Sequence, residues 1–346
     1  MKKISLKLSF IIIFFIAAGN LFASGGNRNG TAGATELLIP VGARGIALGG
    51  STIANSTGIE ALFWNPANIA RVEGYSTNVL VSHMDHIADI GIEYGAVSTS
   101  IEAFGTIAFS IKSLSIGDVP VTTVENPDGT GALFSPQYIT YGLTYARMLS
   151  DRISVGVTAN LVSEKLYTVD ATGYAFNIGV SYSGFANVSG LNIALVMKNI
   201  GPQMKYDGSG LLVNANVDGF NRTGQPYKIE ASSFELPSTL ELGLSYQPVL
   251  DDQNSLQISG VFTNNNFYGD EVKGGLEYGY NDLFFIRAGY SLAPELDSDF
   301  NTFGINAGAG LKYDIGGANL SVDYAYRANQ YEGLGDNHVF SVGFGF

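Results

Sequence analysis

The chain has 346 residues, no cysteine, 44 glycines, 19 tyrosines and 21 phenylalanines, and charged residues make up only 14%, against about 25% in an ordinary soluble domain. No cysteine means no disulfide framework and no thiolate chemistry, and three histidines leave too few for a His-rich metal centre. Abundant glycine and aromatics at low charge suit strands and turns rather than a helical bundle.

In chain order, Lys2, Lys3 and Lys7 precede a nine-residue apolar run, Phe10 to Ala18, and small residues follow up to a cleavage point at or near Ala23. That is the layout of a secretory signal peptide, too short to span a bilayer. Its removal leaves 15 basic against 31 acidic residues, a net charge of −16. Such a surface repels nucleic acid. No later stretch reads as a membrane helix, so an exported chain that sits in a membrane must do so as a closed barrel. The expected division is residues 1–23 signal peptide, 24–72 an N-terminal plug, and 73–346 a barrel.

Residues 24–72 show no strand alternation. Thr57-Gly58-Ile59-Glu60 reads as a capping box opening a helical turn. Asn65-Pro66 reads as an N-cap with proline at the first helical position. Phe63 and Trp64, the only tryptophan, lie at the junction of these two pieces. Trp64 reads either as an anchor packed between plug and wall or as an aromatic that touches a passing ligand.

From about residue 73 onward, one pattern recurs. Segments of about 9–12 residues alternate apolar with small or polar residues, the signature of a strand with one apolar face. In the last segment Phe340, Val342, Phe344 and Phe346 share a face, against Ser341, Gly343 and Gly345. Fourteen such segments can be counted, near 75–84, 90–100, 103–114, 137–148, 152–165, 171–183, 190–199, 236–247, 254–264, 270–280, 282–292, 300–313, 317–327 and 336–346. They are long enough to cross a bilayer when tilted. Tyrosines near their ends, such as Tyr141, Tyr145, Tyr278, Tyr280, Tyr324 and Tyr326, would form interfacial girdles. The two longest connections, near 115–136 and 200–235, follow odd-numbered segments, and Leu149-Ser150-Asp151, Asn281-Asp282 and 314–317 follow even ones. Long outer loops, short inner turns and both termini on the periplasmic side are the barrel rule. The expected fold is therefore all-β, a transmembrane antiparallel barrel of about fourteen strands with a short helical plug.

Energy fixes which face meets lipid. Lys112, Glu277, Arg287 and Lys312 share the small-polar parity. At the bilayer midplane a basic residue on the lipid face would cost roughly 2–4 kcal/mol. The charges must point into the lumen. A lumen this wide needs filling or acts as a pore, and the 50 residues before it can supply the filling.

Chemistry is sparse. A hydrolytic site needs histidine beside a nucleophile, and His83, His86 and His338 are the candidates. His83, Asp85, His86 and Asp89 could ligate a metal, but their spacing matches no closed site, so they read as a solvated loop. Asp207-Gly208-Ser209-Gly210 resembles the start of a calcium loop but lacks the downstream glutamate. No catalytic residue, cofactor or metal is expected.

Two motifs carry a family resemblance. Arg44-Gly45-Ile46-Ala47-Leu48-Gly49-Gly50 followed by Glu60-Ala61-Leu62-Phe63-Trp64-Asn65-Pro66-Ala67 resembles the N-terminal signature of the PorV/PorQ family, outer-membrane proteins related to FadL-type fatty-acid transporters. The family usually has methionine at Leu48, tyrosine at Phe63 and glycine at Asn68, so Asn68 is expected to take a left-handed conformation in glycine's place. The terminal aromatic strand ending at Phe346 also resembles the signal read by the outer-membrane insertion machinery. The resemblance implies a non-enzymatic partner of type IX secretion, recognising secretion components or secreted cargo through its long loops near 115–136 and 200–235. The alternative is a FadL-like channel for fatty acids or other hydrophobic molecules, with Phe63, Trp64, Asn65 and Pro66 as plug residues touching the ligand and the apolar Leu211, Leu212, Val213 and Phe220 of the second long loop as an outer recognition and landing site. Outer-membrane lipids are partners in either case.

Overall fold

A computed structural model of the protein describes residues 28, 30–72, 74–215, 224–294, 303–331 and 333–346. The signal segment, Phe220 and positions 300–302 lie outside the described residues. Fourteen long strands run β1 Thr77–Asp85, β2 Gly91–Ile101, β3 Gly105–Ser115, β4 Gln137–Met148, β5 Ile153–Leu166, β6 Val169–Ser183 and β7 Leu191–Ile200. They continue as β8 Thr239–Tyr246, β9 Asn254–Asn265, β10 Glu271–Tyr280, β11 Phe284–Leu292, β12 Phe303–Asp314, β13 Asn319–Asn329 and β14 Asn337–Gly345. Each lies within three residues of its expected bounds.

Every neighbouring pair is antiparallel, and β1 closes on β14 with Asn78 opposite Gly345 and Val81 opposite Val342. Closure leaves no unpaired edge in the membrane. The last residue completes the seam: Phe346 and Thr77 exchange backbone hydrogen bonds of 2.9 and 3.0 Å. Side-chain facing follows the energetic expectation. Val81, Phe109, Leu143, Val157, Ile178, Leu195, Ile286 and Val342 are exposed on the outer face, and Lys112, Glu277 and Arg287 are buried in the lumen. Lys312 lines the lumen at its short-turn end.

The long loops follow odd strands, as expected. Each carries a small hairpin, Val119–Pro120 with Leu133–Phe134 and Leu212–Ala215 with Gln225–Lys228. At the β6–β7 pairing the register shifts between Phe176 and Ile178. Asn199 there has φ 57°, and its side chain donates to the Pro237 carbonyl at 3.1 Å.

Residues 30–72 lie inside the barrel and pack on its inner wall. One five-residue helix, α1 (Ala43–Ala47), packs on β11 to β14, and a 3-10 turn, Pro66–Ala70, packs on β4, β5 and β6. The plug therefore reaches from wall to wall. Its core of Ile46, Ile53, Trp64 and Ile69 is continuous with Val196, Val261, Ala325 and Val339 of the barrel.

One expectation is overturned. The C-terminus and the start of β1 lie at the short-turn end, but the described N-terminal residues do not. Arg28 pairs with Glu235 at 2.8 Å, and Gly33 donates to the Glu235 carbonyl. Glu235 belongs to the long loop after β7, so the strap 30–38 stands at the outer mouth. Lys112, near the outer end of β3, holds it by donating to the Glu36 and Ile39 carbonyls at 2.7 and 3.2 Å. From there the chain threads the whole lumen to reach β1.

Candidate functional site

The two signature motifs form one object. After α1 the Gly50 amide donates to the Gly45 carbonyl and the Gly49 amide to the Ile46 carbonyl, both at 2.9 Å. That is a Schellman closure, which needs left-handed residues after the helix. Gly49 and Gly50 supply them at φ 65° and 79°. The turn brings Gly45 and Gly50 under the Trp64 indole, and a methyl at Gly45 would overlap that ring. Trp64 is 6% exposed and meets Phe63 edge-on, with ring centroids 5.2 Å apart. Lys198 of β7 lies over both rings, at 5.3 and 5.5 Å. The structure thus packs Trp64 against α1, with one edge lining the outer cavity described below.

Asn65 is fully buried and uses its whole amide. Its Oδ1 accepts from the Ala67 amide at 3.0 Å, the expected N-cap, with Pro66 at the first helical position. Its Nδ2 donates to the Ile53 carbonyl at 2.7 Å and to Ser181 Oγ of β6 at 2.8 Å. Two local expectations are corrected. Thr57 precedes a 3-10 turn, Gly58–Ala61, but makes no side-chain cap; Glu60 turns away to Arg44 instead, a charged partner that outweighs a backbone amide. Asn68 is not left-handed. It sits within the 3-10 turn, is fully buried, and donates to the Ile53 carbonyl at 3.0 Å.

The wall receives the plug on glycines. A methyl at Gly156 would strike the Pro66 carbonyl, at Gly179 the Asn65 side chain, at Gly243 Ile53, at Gly289 the Leu48 and Gly49 backbone, and at Gly308 Ala47. These inward glycines let the plug lie flush on five strands, through its backbone at Gly156 and Gly289 and through side chains at the other three.

Below the plug, an ion network crosses the lumen. Arg44 clamps Glu277 through Nε and Nη2 at 2.8 and 2.9 Å and reaches Glu60 at 3.0 Å. Arg287 reaches Glu277 and Asp323, each at 2.5 Å. Burial works against the charge on Arg44, but Glu277 and then Glu60 more than offset it and hold the guanidinium above its ordinary value. The network borders a polar cavity of about 350 Å³ open toward the short turns, with Asp282, Lys312 and Asn319 on its rim. Above the plug lies a smaller cavity of about 150 Å³, floored by Phe63 and Trp64 and walled by Lys198, Glu241, Lys273 and Arg327. A third, about 300 Å³, opens at the outer mouth between Gly30, Leu38, Pro237 and Phe267.

The histidines are apart. His83 points outward from β1 to Glu93 and Asp85, at 2.6 and 3.1 Å. Ser82 faces the lumen and accepts from Ser341. His86 accepts from Asn337 Nδ2 at 2.7 Å; burial, and then Arg327, push its pKa down to about 4. His338 meets the Tyr324 hydroxyl at 2.8 Å. The side chain of Asp89 lies outside the described ones. Among the described residues, no group of three or more His, Asp or Glu is arranged to hold a metal. Asp207 does not open a calcium loop: it pairs with Lys228, and Asp207–Gly208 extends the edge of β6.

On the outer hairpin Leu212 and Val213 are exposed, as are Tyr227 and Ile229 beside them. Leu211 is half-buried in a 3-10 turn, and Phe220 lies outside the described residues. Sequence reasoning assigned Glu60 only a capping role and left Lys198, Glu241, Glu36 and Glu164 unmarked. The barrel charges were findable from their inward parity; their partners were not.

Comparison with known proteins follows from this geometry. The sequence model of the family described as "Type IX secretion system protein PorV" matches residues 23–267. No curated protein matches the chain. The chain is similar in structure to the toluene transporter TodX of Pseudomonas putida, with TM-score 0.53, 11% identity, and 87% of this chain and 96% of that one covered. It is similar to the toluene transporter TbuX of Ralstonia pickettii, with TM-score 0.51, 14% identity, and coverage of 88% and 98%. A FadL homologue of Pseudomonas aeruginosa aligns with TM-score 0.50, 14% identity, and coverage of 88% and 98%. At such identities the likeness is one of fold.

Proposed function

Because the chain belongs to the PorV family of FadL-like barrels in the outer membrane of a Gram-negative bacterium, we propose that it is a non-enzymatic component of type IX secretion that receives or anchors secreted proteins at the cell surface. The observation that carries this reading is the seating of the plug. Backbone lies flush on wall glycines, Asn65 is tied to Ser181, and Arg44 is tied to Glu277. A lumen held in this way leaves the outer loops as the working surface. The hairpin 212–215/225–228 offers Leu212, Val213, Tyr227 and Ile229 to a partner. Exposed apolar groups gathered at one place mark interaction sites.

A second reading draws on the 300 Å³ cavity at the outer mouth, whose Leu38, Pro237 and Phe267 would suit a hydrophobic small molecule. Deleting the gene separates the two. Secreted cargo should then accumulate in the periplasm; normal cargo export with lost uptake of an apolar compound would favour the channel. Native mass spectrometry of the purified barrel gives an independent answer, a bound protein in the first case and a bound lipid or aromatic in the second.

A further inference from the structure

Three parts of the chain meet on one pair of acids at the outer mouth. Glu36 belongs to the 3-10 turn Thr35–Leu38 of the strap, and Glu164 stands near the outer end of β5. They are 4% and 2% exposed. The Glu164 carboxyl lies close enough to work against a charge on Glu36. The Tyr206 hydroxyl, from the long loop after β7, donates to the second oxygen of Glu164. Oε1 of Glu36 and Oε1 of Glu164 have no donor among the described residues. Two carboxylate oxygens facing one another in a dry site repel unless a proton lies between them.

The other groups turned toward the pair do not remove that need. Lys112 of β3 is the nearby cation; its Nζ donates to the Glu36 and Ile39 carbonyls, and its charge only partly offsets the burial of Glu36. Tyr138 of β4 and Tyr206 are neutral phenols beside the acids. Around them is an apolar cluster drawn from the same three parts: Ala34 and Leu37 of the strap, Val162, Ala171 and Ala175 of the wall, and Met204 and Leu236 of the loop. Phe234 of the loop leaves no room for a side chain at Gly33.

We propose that a proton on Glu36, buried beside Glu164, is a latch that fastens the strap and the long outer loop to the wall, and that its loss frees both. The latch stands apart from the choice between secretion and transport, because it concerns only how plug and loop are joined. Burial first, and Glu164 second, push the Glu36 carboxyl up from 4.5 to about 7. The released form loses its proton near the ordinary value, and the latched form keeps it to about 7. The latched form therefore binds more protons throughout that window, and release becomes more favourable as pH rises through it, by about two orders of magnitude in the equilibrium.

The chain has no cysteine, so a nitroxide can be placed at the exposed Thr35 through T35C. In full-length protein in nanodiscs, the label should be immobilised at pH 5 and show a growing mobile fraction up to pH 8. Adding E36Q fixes one member neutral and should keep the label immobilised at both pH values. Y206F tests the loop arm and should raise the mobile fraction at pH 5. Heat-modifiable gel migration confirms that each variant is folded. An unchanged spectrum from pH 5 to 8, or a pH response that survives E36Q in folded protein, overturns the latch.

Discussion

Asn65 Nδ2 lies 2.8 Å from Ser181 Oγ, a bond between the plug and β6 that spans 116 positions of sequence. The same side chain caps the turn at Pro66. The N65A variant should lose the cap, worth about 1 kcal/mol, and strand a buried serine, costing about 1 kcal/mol more. Aspartate caps a helix as well as asparagine does, yet it cannot donate to Ile53 and would bury an unpaired charge. N65D should therefore destabilise more than N65A, as measured by the temperature at which the folded gel band is lost. Equal stability of N65D and wild type would mean that only the cap matters.

This residue also marks where sequence reading succeeds. Asn65-Pro66 is a local signal satisfied locally, and the cap is where it was expected. The strands were equally legible, since lipid on one side and a charged lumen on the other impose period two on every segment. The capping box at Thr57 failed because Glu60 found Arg44, a partner sixteen residues back that no local rule displays. The outer-mouth position of the strap rests on Lys112 and Glu235, hundreds of ångströms of chain away in any extended reading. The glycine signature gave no hint that Gly45 is the seat of Trp64, because a glycine carries no side chain to read.

Wall glycines predict a way to unseat the plug without breaking the barrel. G156V and G179V place methyl groups into the Pro66 carbonyl and the Asn65 side chain. Neither touches the β-ladder, so strands should still pair and the heat-modifiable band should persist. The plug must shift, and single-channel conductance in planar bilayers should rise well above wild type. G274V, where an added carbon meets nothing within 4 Å, should leave conductance unchanged.

Glu277 is the hub of the luminal network, accepting from both Arg44 and Arg287. E277A leaves two buried guanidinium groups short of a counter-ion, which should cost about 3–5 kcal/mol. R287A leaves Glu277 its bond to Arg44 but strands the buried Asp323, and should cost a comparable amount. The double variant E277A/R287A should be less destabilised than the sum of its singles, because the Glu277–Arg287 pair can be lost only once. Additive losses would mean that the two residues do not share an interaction.

The outer hairpin carries the test of the proposed function. Leu212 and Val213 are 52% and 40% exposed, so L212S/V213S should change stability by no more than about 0.5 kcal/mol. Interface anchors truncated in this way typically cost more than about 1 kcal/mol of binding each. Cells carrying the double variant should therefore show normal amounts of folded barrel in the outer membrane and less cargo attached at the surface, measured by protease shaving. Serine at Val249, exposed at the opposite end of the barrel in a short turn, is the matched control and should leave attachment intact. If both variants attach cargo normally, recognition lies elsewhere, and the hairpin's exposed apolar side chains are not what the cargo reads.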